Sequence, residues 1–286
     1  MVSTRLIFIT GKGGTGKSAV AAAIAIARAR QGESVLAIDM ATSPGLAAHL
    51  GSRPLTYQPT EMRDGLFAMT IDRAAALDEY LKMQLHVPRG APTKQIAAAL
   101  SVLAETAPGV REIISIGKPL HETWKGIWDS VVVDASSLGQ FQSYMRAPQT
   151  IAQLVPTGVV RRQASDMDET LSDPKIASVI IVSNPAELPV IETLEAVDVL
   201  TTERLGPPPS VIMNRVIDTS GIDGSRLEEL PEGPVREAAS LQTHLEDDQA
   251  KWLDEIDFRI SLPYLAGVFT PQGVSLQLSD VIGAVL

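Results

Sequence analysis

The chain has 286 residues, of which 45 % are hydrophobic and 20 % charged, so it can bury a substantial globular core. Its net charge of −10 disfavours broad nucleic-acid binding, and the absence of cysteine excludes disulfides and thiolate metal sites. No apolar run approaches the ~20 residues of a membrane-spanning helix, and the N-terminus lacks a signal-peptide pattern. We therefore expect a cytoplasmic protein with no transmembrane segment.

The first forty residues predict a strand, a glycine-rich turn, a helix and a second strand. The apolar run 6–10 predicts a buried strand, and the Ala-rich segment 17–30 predicts a helix closed by Gly32. Segment 34–39 predicts the second strand. A strand–helix–strand unit of this kind begins a parallel sheet.

Strands and helices continue to alternate along the rest of the chain. Further strands are predicted at 65–71, 130–134, 176–183, 210–214 and 258–262. Helices are predicted at 72–82, most of 83–128, 141–170, 188–202, most of 224–256 and after Pro271, with breaks at Pro119, Pro148 and Pro156 among others. This alternation predicts an α/β fold with a doubly wound, mostly parallel sheet flanked by helices. We expect one domain over 1–286, with helical insertions at about 73–125 and 141–174 that form a small helical subdomain.

An eight-residue glycine-rich motif joins the first predicted strand to the first predicted helix. It fits G-x-x-x-x-G-K-[ST] throughout and consists of Gly11, Lys12, Gly13, Gly14, Thr15, Gly16, Lys17 and Ser18. Glycines let backbone N–H groups approach phosphate oxygens, and the helix N-terminus adds partial positive charge. The motif therefore predicts ATP binding, with Lys17 on the β- and γ-phosphates and the Ser18 hydroxyl on Mg²⁺.

Three polar residues that end predicted strands, together with Lys12 of the motif, have either a structural or a functional interpretation. Asp134 follows three buried-type valines, where an unpaired carboxylate is costly, so a metal role is favoured. Asp39 and Asn214 each end a predicted strand, where they are either functional or ordinary turn residues. Lys12 is not needed to hold a nucleotide within one subunit, so it is either a solvated lysine or has a role elsewhere.

The motif resembles the deviant Walker A motif of the SIMIBI-class ATPases. Within that class the chain is most similar to the arsenical-pump (ArsA-like) and tail-anchored-protein-targeting ATPases, above all to actinobacterial ArsA-like proteins that occur as paralogous pairs. The similar segments are 8–18, 34–39, 66–72, 107–114, 128–134, 183–193 and 212–216. The resemblance implies a P-loop NTPase fold and an ATPase that forms a homodimer, or a heterodimer with a paralogous ATPase, and acts on a protein client.

The resemblance also implies roles for single residues. Lys12 corresponds to the signature lysine that reaches the partner's nucleotide across the dimer. Asp39 lies near switch I, where a carboxylate holds a Mg²⁺-bound water, and Asp134 ends the Walker B strand and holds Mg²⁺ through water. Gly139 corresponds to the switch II glycine that senses the γ-phosphate, and Asn214 to the asparagine that reads adenine. We accordingly assign catalysis to Lys12, Lys17 and Asp39, metal binding to Ser18, Asp39 and Asp134, and ATP binding to the loop with Gly139 and Asn214.

Both switch segments depart from the family pattern. Switch I usually reads Asp-Pro-Ala-His, and here Ala41 occupies the position of the aspartate that positions the attacking water. Switch II usually reads Asp-Thr-Ala-Pro-Thr-Gly-His, and here it reads Asp-Ala-Ser-Ser-Leu-Gly-Gln from Asp134 to Gln140. An alanine cannot orient water, so we expect slow hydrolysis with nucleotide binding retained.

The helical segment after switch II is short for a groove around a transmembrane helix. Core packing is favoured over a client surface for its apolar residues, which include Tyr144, Met145, Ile151, Leu154 and Val155.

Four functions compete for this sequence. The first is a dimeric ATPase that switches a protein client, and the second is a hydrolysis-deficient regulatory subunit of a heterodimer. The third, a MinD- or ParA-like positioning ATPase, is disfavoured because no Lys or Arg follows Arg259, whereas a membrane-surface helix is basic. The fourth, a small-molecule kinase, is disfavoured because no acceptor-binding motif is recognisable.

Overall fold

A computed structural model describes residues 4–41, 45–85, 109–217 and 229–285, with side chains in the second range described to Tyr80. The strands are β1 Leu6–Gly11, β2 Val35–Asp39, β3 Thr60–Arg63, β4 Leu66–Thr70, β5 Ser130–Ser137, β6 Ala177–Ser183, β7 Ser210–Val216 and β8 Ile260–Pro263. The helices are α1 Lys17–Arg30, α2 Leu46–Leu50, α3 Arg73–Leu85, α4 Val110–Trp124, α5 Leu138–Leu154, α6 Val159–Ser172, α7 Glu187–Thr202, α8 Pro234–Asp254 and α9 Pro271–Gly283.

The strands form one sheet in the order β3–β4–β2–β5–β1–β6–β7–β8. Every neighbouring pair is parallel except β3 and β4, which form an antiparallel hairpin at one edge. Strands β1, β2 and β5 are buried along nearly their whole length, as expected when helices cover both faces of a parallel sheet. The predicted α/β fold with a mostly parallel sheet is therefore confirmed.

Alternate residues of the central strands pack into two cores on opposite faces of the sheet. On β1, Leu6 and Phe8 lie in one core and Ile7 and Ile9 lie in the other. The first core also takes side chains from α4, α5 and α6, and the second takes them from α1, α2 and α9. The sheet is thereby held between two helical layers, and the segment between β4 and β5 and that between β5 and β6 supply helices to the same face.

Of the predicted helix breaks at Pro119, Pro148 and Pro156, the first two are wrong. Pro119 and Pro148 do not break their helices but lie inside α4 and α5. Both are buried, so packing of the helix against the sheet outweighs the one backbone hydrogen bond that each proline removes. Only Pro156 lies in a break, between α5 and α6. The hairpin strand β3 and the short helix α2 were not predicted, because neither has a clear hydrophobic period.

The core prediction for the segment after switch II holds for part of it. Tyr144, Met145 and Ile151 are buried, and Val155 is half-buried. The prediction is wrong for Leu154, whose side chain is 69 % exposed because it ends α5 and faces away from the sheet. The predicted helical residues 86–108 and the start of the predicted helix 224–256 lie outside the described residues. None of the helices in the described ranges is long and apolar enough to cross a membrane.

Candidate nucleotide-binding site

The glycine-rich loop connects β1 to α1. At two of its glycines, neighbouring atoms lie so close that a side chain would not fit. A Cβ at Gly11 (φ +150°) would lie 2.2 Å from a backbone carbonyl oxygen of β6, and a Cβ at Gly16 (φ +96°) would lie 2.3 Å from the amide nitrogen of Asn214. A Cβ at Gly13 or Gly14 would instead have no atom within 4 Å. The loop is thus packed tightly at both ends and open in the middle, which is the shape of a phosphate cradle.

The carbonyl oxygen of Lys12 ties the loop together. It accepts hydrogen bonds from the Thr15 hydroxyl at 2.9 Å and from the Lys17 ammonium at 3.1 Å. Burial lowers the pKa of Lys17, and the negative charge of Asp134 opposes that shift. The Lys17 ammonium therefore lies within the loop, where phosphate oxygens would be stronger acceptors than a backbone carbonyl.

Asp134 is a buried carboxylate without a hydrogen-bond donor. Its side chain is fully buried, and among the described residues neither oxygen has a hydrogen-bond partner. The pKa of Asp134 is raised to about 7, mainly by burial and also by the nearby charge of Asp39, while the Ser18 hydroxyl and Lys17 oppose the shift. The Ser18 hydroxyl is thus close, although it makes no hydrogen bond of ordinary geometry to the carboxylate. An unsatisfied buried carboxylate of this kind calls for a cation.

Ser18 and Asp134 fit Mg²⁺. A hydroxyl and a carboxylate are hard oxygen ligands, and both lie at the junction of β1, α1 and β5. No group of three or more His, Cys, Asp or Glu side chains that could hold a metal occurs in the described ranges. Mg²⁺ takes one or two ligands from a protein and the others from phosphates and water, so the pair of Ser18 and Asp134 suffices for it.

Asp39 lies directly across from Asp134 in the register of β2 and β5. Its two oxygens accept hydrogen bonds from the backbone N–H groups of Ala41, at 3.1 Å, and Leu46, at 3.3 Å. Burial raises the pKa of Asp39, and these amides together with that of Gly45 oppose the shift. The carboxylate therefore caps the backbone at Ala41 and at the start of α2, in line with the turn-residue alternative, and its metal role stays a prediction.

Asn214 contacts the glycine-rich loop from β7. Its side-chain nitrogen donates to the Thr15 carbonyl oxygen at 2.8 Å, and its side chain is buried. Asn184, after β6, reaches the same carbonyl oxygen at 3.1 Å when its amide is oriented with nitrogen as the donor. Both asparagines therefore support the loop, and the adenine contact of Asn214 stays a prediction. Asn184 was not predicted as a site residue, although it directly follows a predicted buried strand.

Lys12 extends away from its own loop. Its ammonium forms an ion pair with the carboxylate of Glu192 on α7, and both side chains are partly exposed, at 25 % and 37 %. Glu192 was also missed, because nothing in a single sequence links residues 180 positions apart. The structure thus separates the two lysines of the motif, with Lys17 inside the loop and Lys12 at the surface.

Gly139 is the second residue of α5, beside the glycine-rich loop. Ser137 at the end of β5 pairs with Gly11 at the end of β1, so the start of α5 lies next to the candidate phosphate site. A Cβ at Gly139 would meet no atom within 4 Å, which leaves this helix N-terminus open. Of the predicted site residues, Lys17, Ser18, Asp39 and Asp134 thus come together, Gly139 borders them and Lys12 points elsewhere.

Comparison with known proteins places this site in a family. The family model described as anion-transporting ATPase (ArsA-like) matches residues 4–157, more than half of the chain. The chain belongs to this family. The resemblance that the motifs predicted is therefore confirmed, and the matched part of the ArsA-like chain runs from β1 through the glycine-rich loop and β5 to the end of α5.

Similar proteins come from bacteria, archaea and fungi. The ATPase BagA of Mycobacterium tuberculosis is 34 % identical over 224 residues, which cover 74 % of this ArsA-like chain and 65 % of that protein. A protein of Halobacterium salinarum named as an arsenical pump-driving ATPase is 27 % identical over 92 % of this chain and 41 % of its own length. The ATPase GET3 of Chaetomium globosum is 26 % identical over 52 % of this chain and 44 % of its own length. The match therefore spans less than two thirds of each of these relatives.

Proposed function

We propose that the chain binds Mg·ATP and hydrolyses it slowly as an ATPase. The observation that carries the proposal is the buried Asp134 carboxylate, which has no donor among the described residues and lies beside Ser18 and Lys17 of the glycine-rich loop. In this assignment residues 11–18 hold the phosphates and Lys17 neutralises them. Ser18 and Asp134 would hold Mg²⁺, which supplies charge neutralisation at the γ-phosphate.

Slow hydrolysis follows from the switch I geometry. Ala41 has no group that could orient water, and both oxygens of Asp39 accept backbone N–H groups of the same loop. To act on water or on a Mg²⁺-bound water, Asp39 would have to release at least one of these amides. The site therefore keeps the groups that bind the nucleotide and neutralise its charge. It lacks a free group that could position the attacking water, and this slows hydrolysis.

We also propose that residues 1–286 act as one nucleotide-driven switch in the cytoplasm. The switch works as a homodimer, or as a heterodimer with a paralogous ATPase, in which Lys12 completes the partner's site. Gly139 lies in the first turn of α5, so a contact between this helix N-terminus and the γ-phosphate would be transmitted to α5 and to the helices packed on it. Those helices form the face that we propose acts on a protein client. The net charge of −10 argues against nucleic acid as that client.

Steady-state ATP hydrolysis by the purified chain tests the proposal. We expect turnover that is slow, requires Mg²⁺ and disappears in Lys17→Ala. Lys175→Ala is the matched control, because this exposed lysine precedes β6 at the opposite end of the sheet. Equal activity in the wild type and Lys17→Ala would show that the hydrolysis comes from a contaminant and would refute the ATPase.

The second candidate function is a hydrolysis-deficient ATP-binding subunit of a heterodimer. It is favoured by Ala41 together with the occupied carboxylate of Asp39. Tight Mg·ATP binding in calorimetry, with no turnover above the Lys17→Ala blank, would select this function over the first.

A further inference from the structure

We propose that Glu192 is a positioning residue that holds Lys12 within its own subunit until a second copy of the chain docks against α7. The inference rests on the proposed function, because it takes Lys12 to act across a subunit interface. It adds a resting partner for that lysine and a surface through which the second copy reaches it.

The ion pair defines where Lys12 is held. Its ammonium contacts the Glu192 carboxylate rather than the interior of its own loop, which Lys17 occupies. Both members of the pair are partly exposed, so an approaching subunit can reach them. A lysine in this position cannot contact a phosphate of another subunit until it leaves Glu192.

Helix α7 supports Glu192 rigidly. Val190, Ala196 and Leu200 on the inner side of the helix are almost fully buried. The Thr193 hydroxyl, next to Glu192, is also buried and donates to the Pro189 carbonyl oxygen at 2.7 Å. The position of the carboxylate is therefore set by the packing of α7, and release of the ion pair requires Lys12 to move.

An exposed apolar face lies beside the ion pair. Leu188, Ile191 and Leu194 are 56 %, 40 % and 41 % exposed, and their three-residue spacing puts them on one side of α7, next to Glu192. Apolar side chains exposed together beside a charged pair are typical of a protein–protein contact surface. We take a second copy as the occupant, because the proposed dimer brings Lys12 of one copy to the nucleotide of the other and α7 borders Lys12.

The ion pair between Lys12 and Glu192 is weak enough to break when a second copy binds. Partly exposed ion pairs shift an equilibrium by up to about fivefold. A phosphate group carries more charge than one carboxylate and offers Lys12 a stronger acceptor. Nucleotide in the second copy therefore competes successfully with Glu192, and loss of Glu192 makes assembly easier.

The test follows dimer formation by analytical ultracentrifugation while a non-hydrolysable ATP analogue is titrated in the presence of Mg²⁺. We expect Glu192→Gln to reach half-maximal dimerisation at an analogue concentration about two- to fivefold below that of the wild type. Glu169→Gln is the matched control, because it removes the same charge from an exposed position on α6, away from the apolar face of α7, and should behave as wild type. In a Lys12→Ala background, Glu192→Gln should have no effect on dimerisation.

Two further variants test the surface itself. Ile191→Asp should abolish analogue-dependent dimerisation and leave analogue binding by the monomer unchanged. Ile127→Asp introduces the same charge at an exposed position before β5, at the far end of the sheet, and should dimerise as wild type.

Each other outcome contradicts a stated part of the proposal. A wild type that stays monomeric with the analogue refutes the proposed dimer. If the wild type dimerises and Glu192→Gln dimerises at the same analogue concentration, the role of Glu192 is refuted and the proposed dimer stands. A shift that persists in the Lys12→Ala background refutes it too, because the carboxylate would then act by its charge and not through Lys12. Normal dimerisation of Ile191→Asp refutes α7 as the docking surface.

Discussion

The neighbouring strands β2 and β5 each carry one buried aspartate, and the two aspartates differ in their hydrogen-bond partners. Asp39 and Asp134 are in register on neighbouring parallel strands and are 2 % and 0 % exposed. Asp39 accepts two backbone N–H groups of the loop that follows it, whereas Asp134 has no donor among the described residues. Burial alone therefore does not mark a ligand site, because a buried carboxylate with amide donors is already satisfied. The unsatisfied carboxylate is the one that calls for a cation.

The largest expected effect concerns the chemistry of the two aspartates. Asp134→Asn should lower ATP hydrolysis about 10³-fold or more and remove its dependence on Mg²⁺, because an amide cannot replace an anionic group at the metal. Asp39→Asn should lower hydrolysis less than about tenfold, because its principal contacts are to backbone amides. Rates measured over a Mg²⁺ titration compare the two variants. Equal losses of hydrolysis rate in the two variants would show that both carboxylates bind the metal. The proposed difference between Asp39 and Asp134 would then be wrong.

The next effect concerns the dependence of stability on pH in the absence of nucleotide and Mg²⁺. Burial raises the pKa of Asp134 from 3.8 to about 7, so the neutral form is favoured in the folded chain. The stabilisation is fully present below the unfolded-state pKa and is lost as the pH rises through about 7. A pKa difference of this size corresponds to about 4 kcal/mol in the free energy of unfolding. Asp134→Asn, which stays neutral, should therefore be more stable than wild type at pH 8.5 by up to about 4 kcal/mol and similar to it near pH 4.

Urea denaturation at several pH values measures this difference. Asp257→Asn, at an exposed position before β8, is the control for a change of one charge. A gap between wild type and Asp134→Asn that stays constant with pH would show that Asp134 is not titrating in this range.

A smaller effect concerns the structural role of Asp39. Asp39→Ala leaves the amides of Ala41 and Leu46 without their acceptor and should lower the free energy of unfolding by about 1–3 kcal/mol. Asp39→Asn keeps one acceptor oxygen and should cost less. Asp72→Ala removes an exposed cap, whose oxygen accepts the Ala75 N–H at 2.8 Å, and should cost about 1 kcal/mol. An Asp39→Ala variant as stable as wild type would contradict the capping role.

The smallest effect concerns the missing aspartate of switch I. Ala41→Asp should raise the rate of ATP hydrolysis about tenfold, because the new carboxylate can orient water but lacks supporting contacts. Ala41→Asn is the control of similar size without the charge. A rate equal to that of wild type in both variants would show that Ala41 does not limit hydrolysis. Asp39 would then be the residue of switch I to test for positioning water.

The parts of the site that lie close together in sequence were predictable. Residues 11–18 have one covalent order, and the strand before them and the helix after them could be identified from hydrophobic pattern and helix propensity. A buried strand leading to Asp134 was predictable because three valines precede this residue, but its predicted end was wrong, since β5 continues to Ser137. The prolines inside α4 and α5 and the hairpin strand β3 were not, because packing against the rest of the sheet decides their conformation and local propensity does not.

The sequence by itself determined the chemistry that is available, which comprises the phosphate loop, its two lysines, the absence of thiols and the alanine in switch I. Only the tertiary structure decided how these groups are used. Within the described part of the chain it leaves Asp134 without a donor, gives Asp39 two amides and joins Lys12 to Glu192, which is 180 residues away. The physical reason is that hydrogen bonds and ion pairs depend on distances across the sheet, and the order of its strands, with β5 between β2 and β1, sets those distances.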